Sequence, residues 1–388
     1  MSQNNSALSH LECPECGQTF AAVEPQTYCH DCDSPLLARY ELERVAEQVD
    51  RTDFSQRSGG MWRWRELLPL FDAACRFSLG EGATPLLRAE RLGEQLGMGE
   101  LFIKDEGVNP TGTFKARGLA MAVSKAMELG IREFVIPTAG NAGGALATYA
   151  ARADARAHVY MPADAPEIHQ SEVRAAGADL HLVDGLIDAA GRQASGAAAE
   201  NGWFNVATFR EPYRVEGKKT MGLELAEAFD WSLPDAIIYP TGGGTGLVGM
   251  WKAFQELREL GWLDGDLPRM FSVQAEGCAP VVRAMEQGDE RIARWENAET
   301  RAAGLRVPSL FADRLVLRAL RDSDGGAVAV SEDAIRSAEQ DLAHMEGVYA
   351  CPEGAATLAG LRTLLEQGQI DVSDRTVLFN TGTGLKYA

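Results

Sequence analysis

From residue 101 onward the chain alternates short apolar runs with longer stretches of helical spacing, and this alternation constrains the fold more than any other feature. Strand-like runs occur at 101–104, 133–137, 158–161, 180–183, 236–239, 271–275, 327–330 and 376–379. Between them apolar residues recur every three to four positions, as at Leu247, Met250, Trp251, Phe254 and Leu257. Strands that run parallel need a crossover of a dozen or more residues, and a helix supplies it. The chain is therefore read as α/β, built of doubly wound open sheets. Its 388 residues exceed what one core holds, so two such domains are expected. In these sheets ligands bind where strand carboxyl ends meet helix N-termini.

Four stretches fall at such junctions. The first, residues 107–118 (GVNPTGTFKARG), follows the strand at 101–104. Asn109-Pro110 and Thr111-Gly112 are turn chemistry, and Lys115 then falls at or near a helix start. The positive end of the helix dipole and an apolar neighbour, Phe114, both disfavour the ammonium form. A lysine of lowered pKa suits Schiff-base chemistry, although taken alone the stretch reads first as a solvated lysine after a turn. The chain holds only seven lysines against thirty arginines, so each lysine in a loop needs a reason.

The second stretch, residues 138–144 (TAGNAGG), offers small residues for close approach and Asn141 as an amide donor; simple helix capping by Asn141 is the competing reading. The third, residues 241–247 (TGGGTGL), presents successive backbone amides ahead of a long amphipathic helix, which makes an anion site. Residues 244–249 also fit the dinucleotide pattern G-x-G-x-x-G. Against that rival, the motif sits mid-chain, and Glu276 is late for a ribose contact. The fourth, residues 380–386 (NTGTGLK), carries Thr381, a hydroxyl that either faces a bound ring or lies in a plain turn.

Charge adds a fifth stretch. Net charge is −19, which argues against nucleic acid as a partner. Yet residues 210–220 (REPYRVEGKKT) form a dense basic cluster, suited to an anionic ligand or to a salt-bridged helix start with Glu211 and Glu216. No apolar run approaches a membrane span and the N-terminus lacks a signal pattern, so a cytoplasmic location without membrane association is expected.

Cys13, Cys16, Cys29 and Cys32 form C-x2-C, twelve residues, C-x2-C. Four sulfurs so spaced suit tetrahedral structural zinc in a piece too short for its own core; two disulfides or an iron site are the competitors. Cys75, Cys278 and Cys351 are singletons, read as buried small hydrophobes.

A lysine, an asparagine amide, a glycine anion cradle and a late hydroxyl together suit pyridoxal phosphate. They match its aldehyde, ring oxygen, phosphate and ring nitrogen. From about residue 80 to 388 the chain resembles the threonine synthases of the tryptophan-synthase-β-like class. Residues 109–115 (NPTGTFK) are similar to that class's cofactor-lysine motif, 139–143 (AGNAG) to its asparagine loop, 241–246 to its phosphate loop and 381–386 (TGTGLK) to its ring-nitrogen segment. Residues 211–222 (EPYRVEGKKTMG) resemble the stretch that holds the substrate's phosphate in threonine synthases.

The resemblance implies the tryptophan-synthase-β-like fold, with a zinc-ribbon-like segment at 1–40 and a connector at 41–79. A large cofactor domain is expected at 80–118 and 205–388, and a small α/β domain at 119–204. It implies that Lys115 binds the cofactor aldehyde and moves protons, with Phe114 flanking the ring and Asn141 on the ring oxygen. Gly242, Gly243, Gly244, Thr245 and Gly246 then bind the cofactor phosphate, and Thr381 faces the ring nitrogen. Thr138, Arg214 and Lys219 hold the substrate's phosphate. Where many relatives carry a hydroxyl or second amide after the asparagine, this chain has Ala142, so the substrate carboxylate must draw partly on backbone amides. The implied reaction is O-phospho-L-homoserine plus water to L-threonine plus phosphate, in a homodimer. Three kinds of alternative stand open. A cysteate synthase or threonine dehydratase would share the cofactor. A nicotinamide-dependent dehydrogenase would use Gly244–Gly249, and a zinc-ribbon binding module would have no turnover.

Overall fold

The computed structural model describes residues 6–388. An antiparallel ribbon comes first, with β1 (Leu8–Glu12) between β2 (Thr19–Ala21) and β5 (Leu37–Tyr40), and β3 (Tyr28–Cys29) paired with β4 (Ser34–Pro35). Gly17, at φ +73°, lets the first cysteine turn close, its N–H donating to the Cys13 carbonyl at 2.9 Å. The connector holds α1 (Leu42–Gln48) and short 3-10 turns, and buries Phe54, Met61, Trp62 and Trp64.

The main body then alternates as expected. The elements are β6 (Leu86–Arg88), α2 (Glu90–Leu96), β7 (Leu101–Asp105), α3 (Lys115–Glu128), β8 (Glu133–Pro137), α4 (Asn141–Arg152), β9 (Arg156–Pro162) and α5 (Glu167–Ala175). Next come β10 (Asp179–Val183), α6 (Ile187–Asn201), β11 (Phe204–Asn205), α7 (Arg214–Ala228), β12 (Ala236–Pro240), α8 (Thr245–Glu259) and β13 (Arg269–Ala275). The last are α9 (Pro280–Gln287), α10 (Asp313–Asp322), β14 (Gly326–Val330), α11 (Glu332–Glu346), α12 (Pro352–Glu366) and β15 (Thr376–Asn380). All eight strand-like runs are strands. Among the described residues, no helix is long and apolar enough to cross a membrane.

The chain divides into two compact units. One comprises the described residues up to Ala83, Lys115–Thr220 and Gln255–Trp262. Its sheet is parallel, in the order β10-β9-β8-β11, with Val135, Tyr160, Val183, Ala190 and Ala194 in its core. The other comprises Thr84–Phe114, Met221–Phe254 and Leu263–Ala388. Its sheet runs β14-β13-β12-β15-β7-β6 and is parallel except for the edge strand β6. Helices α11 and α12 cover it through a core that includes Val273, Val328, Leu358 and Leu378.

The division falls elsewhere than the sequence led us to expect. Residues 205–220 lie with the four-stranded sheet, as do the ribbon and connector. β11 extends that sheet, and past its end the Val206 N–H donates to the Val135 carbonyl at 3.0 Å. The end of α8 joins the same unit through Trp262, whose ring lies 5.6 Å from that of Phe54.

Candidate active site

In the larger sheet, β7, β15 and β12 are parallel neighbours, so the loops that leave their carboxyl ends emerge on one edge. These loops carry residues 106–114, 381–386 and 241–244. Buried polar groups hold the first. Lys104, on β7, donates to Glu224 at 2.8 Å and to the Thr84 carbonyl at 2.7 Å. The Thr84 hydroxyl donates to Glu106 at 2.6 Å, and the Asn109 amide donates to the same carboxylate at 2.9 Å. A second set of bonds staples it to the last loop. The Asn380 amide donates to Asp105 at 2.8 Å, the Thr383 N–H to the Gly112 carbonyl at 2.9 Å, and the Phe114 N–H to the Thr381 carbonyl at 3.0 Å. Phe114 is buried, its ring 6.1 Å from that of Tyr239 and edge-on to it. Lys115 is the next residue and begins α3, as the turn chemistry predicts.

Thr381 is buried and has a neighbour that its own motif does not reveal. The Cys351 sulfur lies 3.7 Å from the Thr381 hydroxyl, and it caps α12 by accepting the Gly354 N–H at 3.3 Å. Burial pushes this thiol well above its ordinary pKa, so it stays protonated. Cys351 is buried, as expected, but it is a polar partner as well as a small hydrophobe. Its spacing before Pro352 was the available signal, since helices open with a capping side chain and then proline.

The glycines of the third loop are fixed by close approach. A Cβ on Gly242 would sit 2.1 Å from the Gly304 carbonyl oxygen, one on Gly246 would sit 1.9 Å from the Tyr239 hydroxyl, and Gly244 has φ +81°. The chain thus passes into α8 with bare amides. The first turn of the fifteen-residue helix supplies N–H groups without intrahelical acceptors and a positive dipole end. This donor set fits a phosphate. With the Thr381 hydroxyl and the Phe114 ring on the same edge, this unit carries an anion cradle, a hydroxyl and a ring face, three of the group types that suit pyridoxal phosphate.

In the four-stranded sheet, β8 and β11 are parallel neighbours, and residues 138–141 and 206–214 leave them on one edge. Thr138 is buried and accepts the Gly140 N–H at 3.0 Å. Gly140, at φ +147°, lies so close to the His169 ring that a Cβ would meet it at 2.4 Å. Asn141 then begins α4. Arg214 begins α7; its guanidinium is buried and donates to the Val206 carbonyl at 2.7 Å. The first turns of α3 and α7 touch backbone to backbone. A Cβ on Gly217 would lie 2.2 Å from the Arg117 carbonyl oxygen, and one on Gly118 would lie 3.1 Å from that of Arg214. Lys115 and Arg214 therefore stand at the heads of two crossing helices. Lys219 is placed differently from Arg214. Fully buried, it pairs with Glu216 at 2.7 Å and Glu256 at 2.9 Å.

Glu211 caps α7, accepting N–H bonds from Tyr213 at 2.6 Å and Arg214 at 3.1 Å. Complete burial pushes its pKa up from 4.5 to about 7, outweighing the Arg214 charge and the two amides, which act the other way. Between these values the folded protein keeps a proton that the unfolded chain has released, so stability falls as pH rises through that window. Glu211→Gln is expected to remove this slope and to be more stable than the parent above pH 7 by about 3 kcal/mol. Urea unfolding at pH 5 and pH 8 measures it; equal slopes in both proteins would contradict the assignment.

In the ribbon, ligand atoms of Cys13, Cys16, Cys29 and Cys32 all lie within 4.8 Å of one another. Four sulfurs so gathered are compatible with one tetrahedral ion.

The family described as pyridoxal-phosphate dependent enzyme matches residues 77–382. The chain is 35% identical over 375 residues to the threonine synthase of Methanocaldococcus jannaschii, an alignment covering 96% of this chain and 92% of that protein. It is 34% identical over 380 residues to the threonine synthase of Methanosarcina acetivorans, covering 98% and 92%. Among solved structures, a T.th. threonine deaminase superposes with a TM-score of 0.66 at 30% identity, covering 77% of this chain and 92% of that one.

Proposed function

The chain belongs to the pyridoxal-phosphate dependent enzyme family, and we propose from this premise that it is a threonine synthase. It would convert O-phospho-L-homoserine and water to L-threonine and phosphate. The single observation that carries the substrate is the crossing of α3 and α7, which sets the head of the lysine helix against that of the arginine helix. A cofactor enzyme that only removes water or ammonia has no need of a buried guanidinium there. One whose substrate carries a second phosphate does.

In this reading Lys115 holds the cofactor aldehyde, Phe114 the ring face, Asn141 the ring oxygen, Gly242, Gly243, Gly244, Thr245 and Gly246 the phosphate, and Thr381 the ring nitrogen. The bound cofactor supplies a sink for the electron pair released at Cα. The Lys115 amine takes the α-proton and serves the later proton transfers. A β-proton is then lost, phosphate leaves from Cγ, Cγ gains a proton, and water adds its oxygen at Cβ. Arg214, Thr138 and Lys219 hold the departing phosphate, Lys219 from within its pairs with Glu216 and Glu256. A hydroxyl such as Thr381 does not protonate a pyridine, so the sink is kept weaker than a carboxylic acid partner would make it. That disfavours transamination. The four thiolates would hold zinc as a closed structural site, and the assembly would be a homodimer.

The nicotinamide reading leaves Lys115 and Arg214 without roles. Phosphate release separates the rest: the reading predicts release from O-phospho-L-homoserine, with L-threonine in equal amount and none from O-phospho-L-serine. Release from phosphoserine with sulfite present would make the chain a cysteate-forming enzyme instead.

A further inference from the structure

We propose that the N-terminal ribbon is a brace for the anion-holding segment 210–219, so that metal at the four cysteines sets how tightly the substrate's phosphate is bound. This rests on the reading of Arg214 given above. The ribbon reaches the segment at both of its ends. At the first end, the Arg210 guanidinium lies 4.7 Å over the Tyr28 ring and 3.7 Å from the Asp33 carboxylate. Tyr28 directly precedes Cys29, and Asp33 directly follows Cys32, so both contacts flank the second cysteine pair.

At the other end, the Tyr40 hydroxyl at the close of β5 donates to Glu216 at 2.7 Å, and the Lys219 ammonium sits 3.9 Å over the Tyr40 ring. Lys219 and Glu216 are fully buried, and Glu256 completes the cluster. Between the two ends lie Glu211 and Arg214, the cap and the first residue of α7.

The unequal strength of the contacts decides how the brace works. The Arg210 pair is part-exposed and weak alone. In the Tyr40 cluster Glu216 and Lys219 are fully buried, and a buried carboxylate that loses a hydrogen-bond donor is left with its desolvation uncompensated. A ribbon of this size has too little apolar interior to hold Tyr40 in place without an ion. Loss of the metal therefore withdraws the ring and hydroxyl that cover Glu216 and Lys219, and the first turn of α7 loosens with them. A free-standing binding module would instead leave Tyr40 facing solvent.

The test uses the full-length holoenzyme, zinc-loaded and then stripped by a chelator, beside Tyr40→Phe, which keeps the ring and removes one bond. Both changes are expected to raise KM for O-phospho-L-homoserine and Ki for inorganic phosphate, about five- to tenfold for Tyr40→Phe and more on stripping. They should leave kcat and the absorbance of the bound cofactor near the parent values. Amide hydrogen exchange over residues 210–219 should quicken in both. Unchanged exchange and unchanged phosphate affinity in the stripped protein would overturn the brace. If stripping unfolds the whole chain, Tyr40→Phe and Asp33→Asn decide by the same two readings. If the parent releases no phosphate from either substrate, the functional reading has failed, and the exchange measurement still judges the brace.

Discussion

Lys115→Ala is expected to lose turnover by a factor of about 10⁴ or more, together with the yellow absorbance of lysine-bound cofactor. The side chain leaves the first turn of α3, which is anchored on both sides. Phe114 before it is bonded to the Thr381 carbonyl, and Gly118 after it packs on α7. Neither anchor uses the lysine's amine, so the variant should fold. Its circular dichroism and unfolding midpoint are the controls. The glycine loop is untouched, so the variant should still bind pyridoxal phosphate without the covalent band. A variant that keeps the band would place the attachment on another lysine.

The next largest effect is expected at the phosphate loop. Gly242→Ala would drive a methyl group into the Gly304 carbonyl, and Gly246→Ala would drive one into the Tyr239 hydroxyl. Neither neighbour yields easily, because one is backbone and the other is a buried ring. The loop must shift, and the amides proposed to meet the cofactor phosphate lose their aim. Losing one or two charge-assisted bonds costs about 3 kcal/mol, or roughly 100-fold in cofactor Kd. Gly99→Ala is the control, since its Cβ would meet nothing within 4 Å. Titration of the stripped protein with pyridoxal phosphate reads all three. Parent-like affinity in Gly242→Ala and Gly246→Ala would move the phosphate elsewhere.

The sheets were legible because their period is local. Eight apolar runs became eight strands, and the strand-to-helix loops fell on sheet edges as their glycines required. What escaped was short or distant. β11 is two residues long and carries no pattern, yet it decides which unit receives Arg214. β6 is three residues at an antiparallel edge, half exposed and without alternation. The pairing of Tyr40 with Glu216 spans 176 positions, so neither residue announces the other.

Lys219 shows a different limit. Composition singled it out as a lysine that needs a reason, but not its two carboxylate partners, one of them a helix away on α8. Glu211 and Arg214 stand three positions apart in one motif, while the burial that shifts the carboxyl upward comes from the surrounding fold. Cys351 lies thirty positions from the threonine it touches.

The central claim is that phosphate leaves from Cγ and that water enters at Cβ. Turnover of O-phospho-L-homoserine in ¹⁸O-labelled water tests it most directly, with both products analysed by mass. The account predicts L-threonine carrying one ¹⁸O in its hydroxyl and phosphate whose bridging oxygen came unlabelled from the substrate. Homoserine as the product, or ¹⁸O in phosphate formed by attack of water at phosphorus, would contradict it.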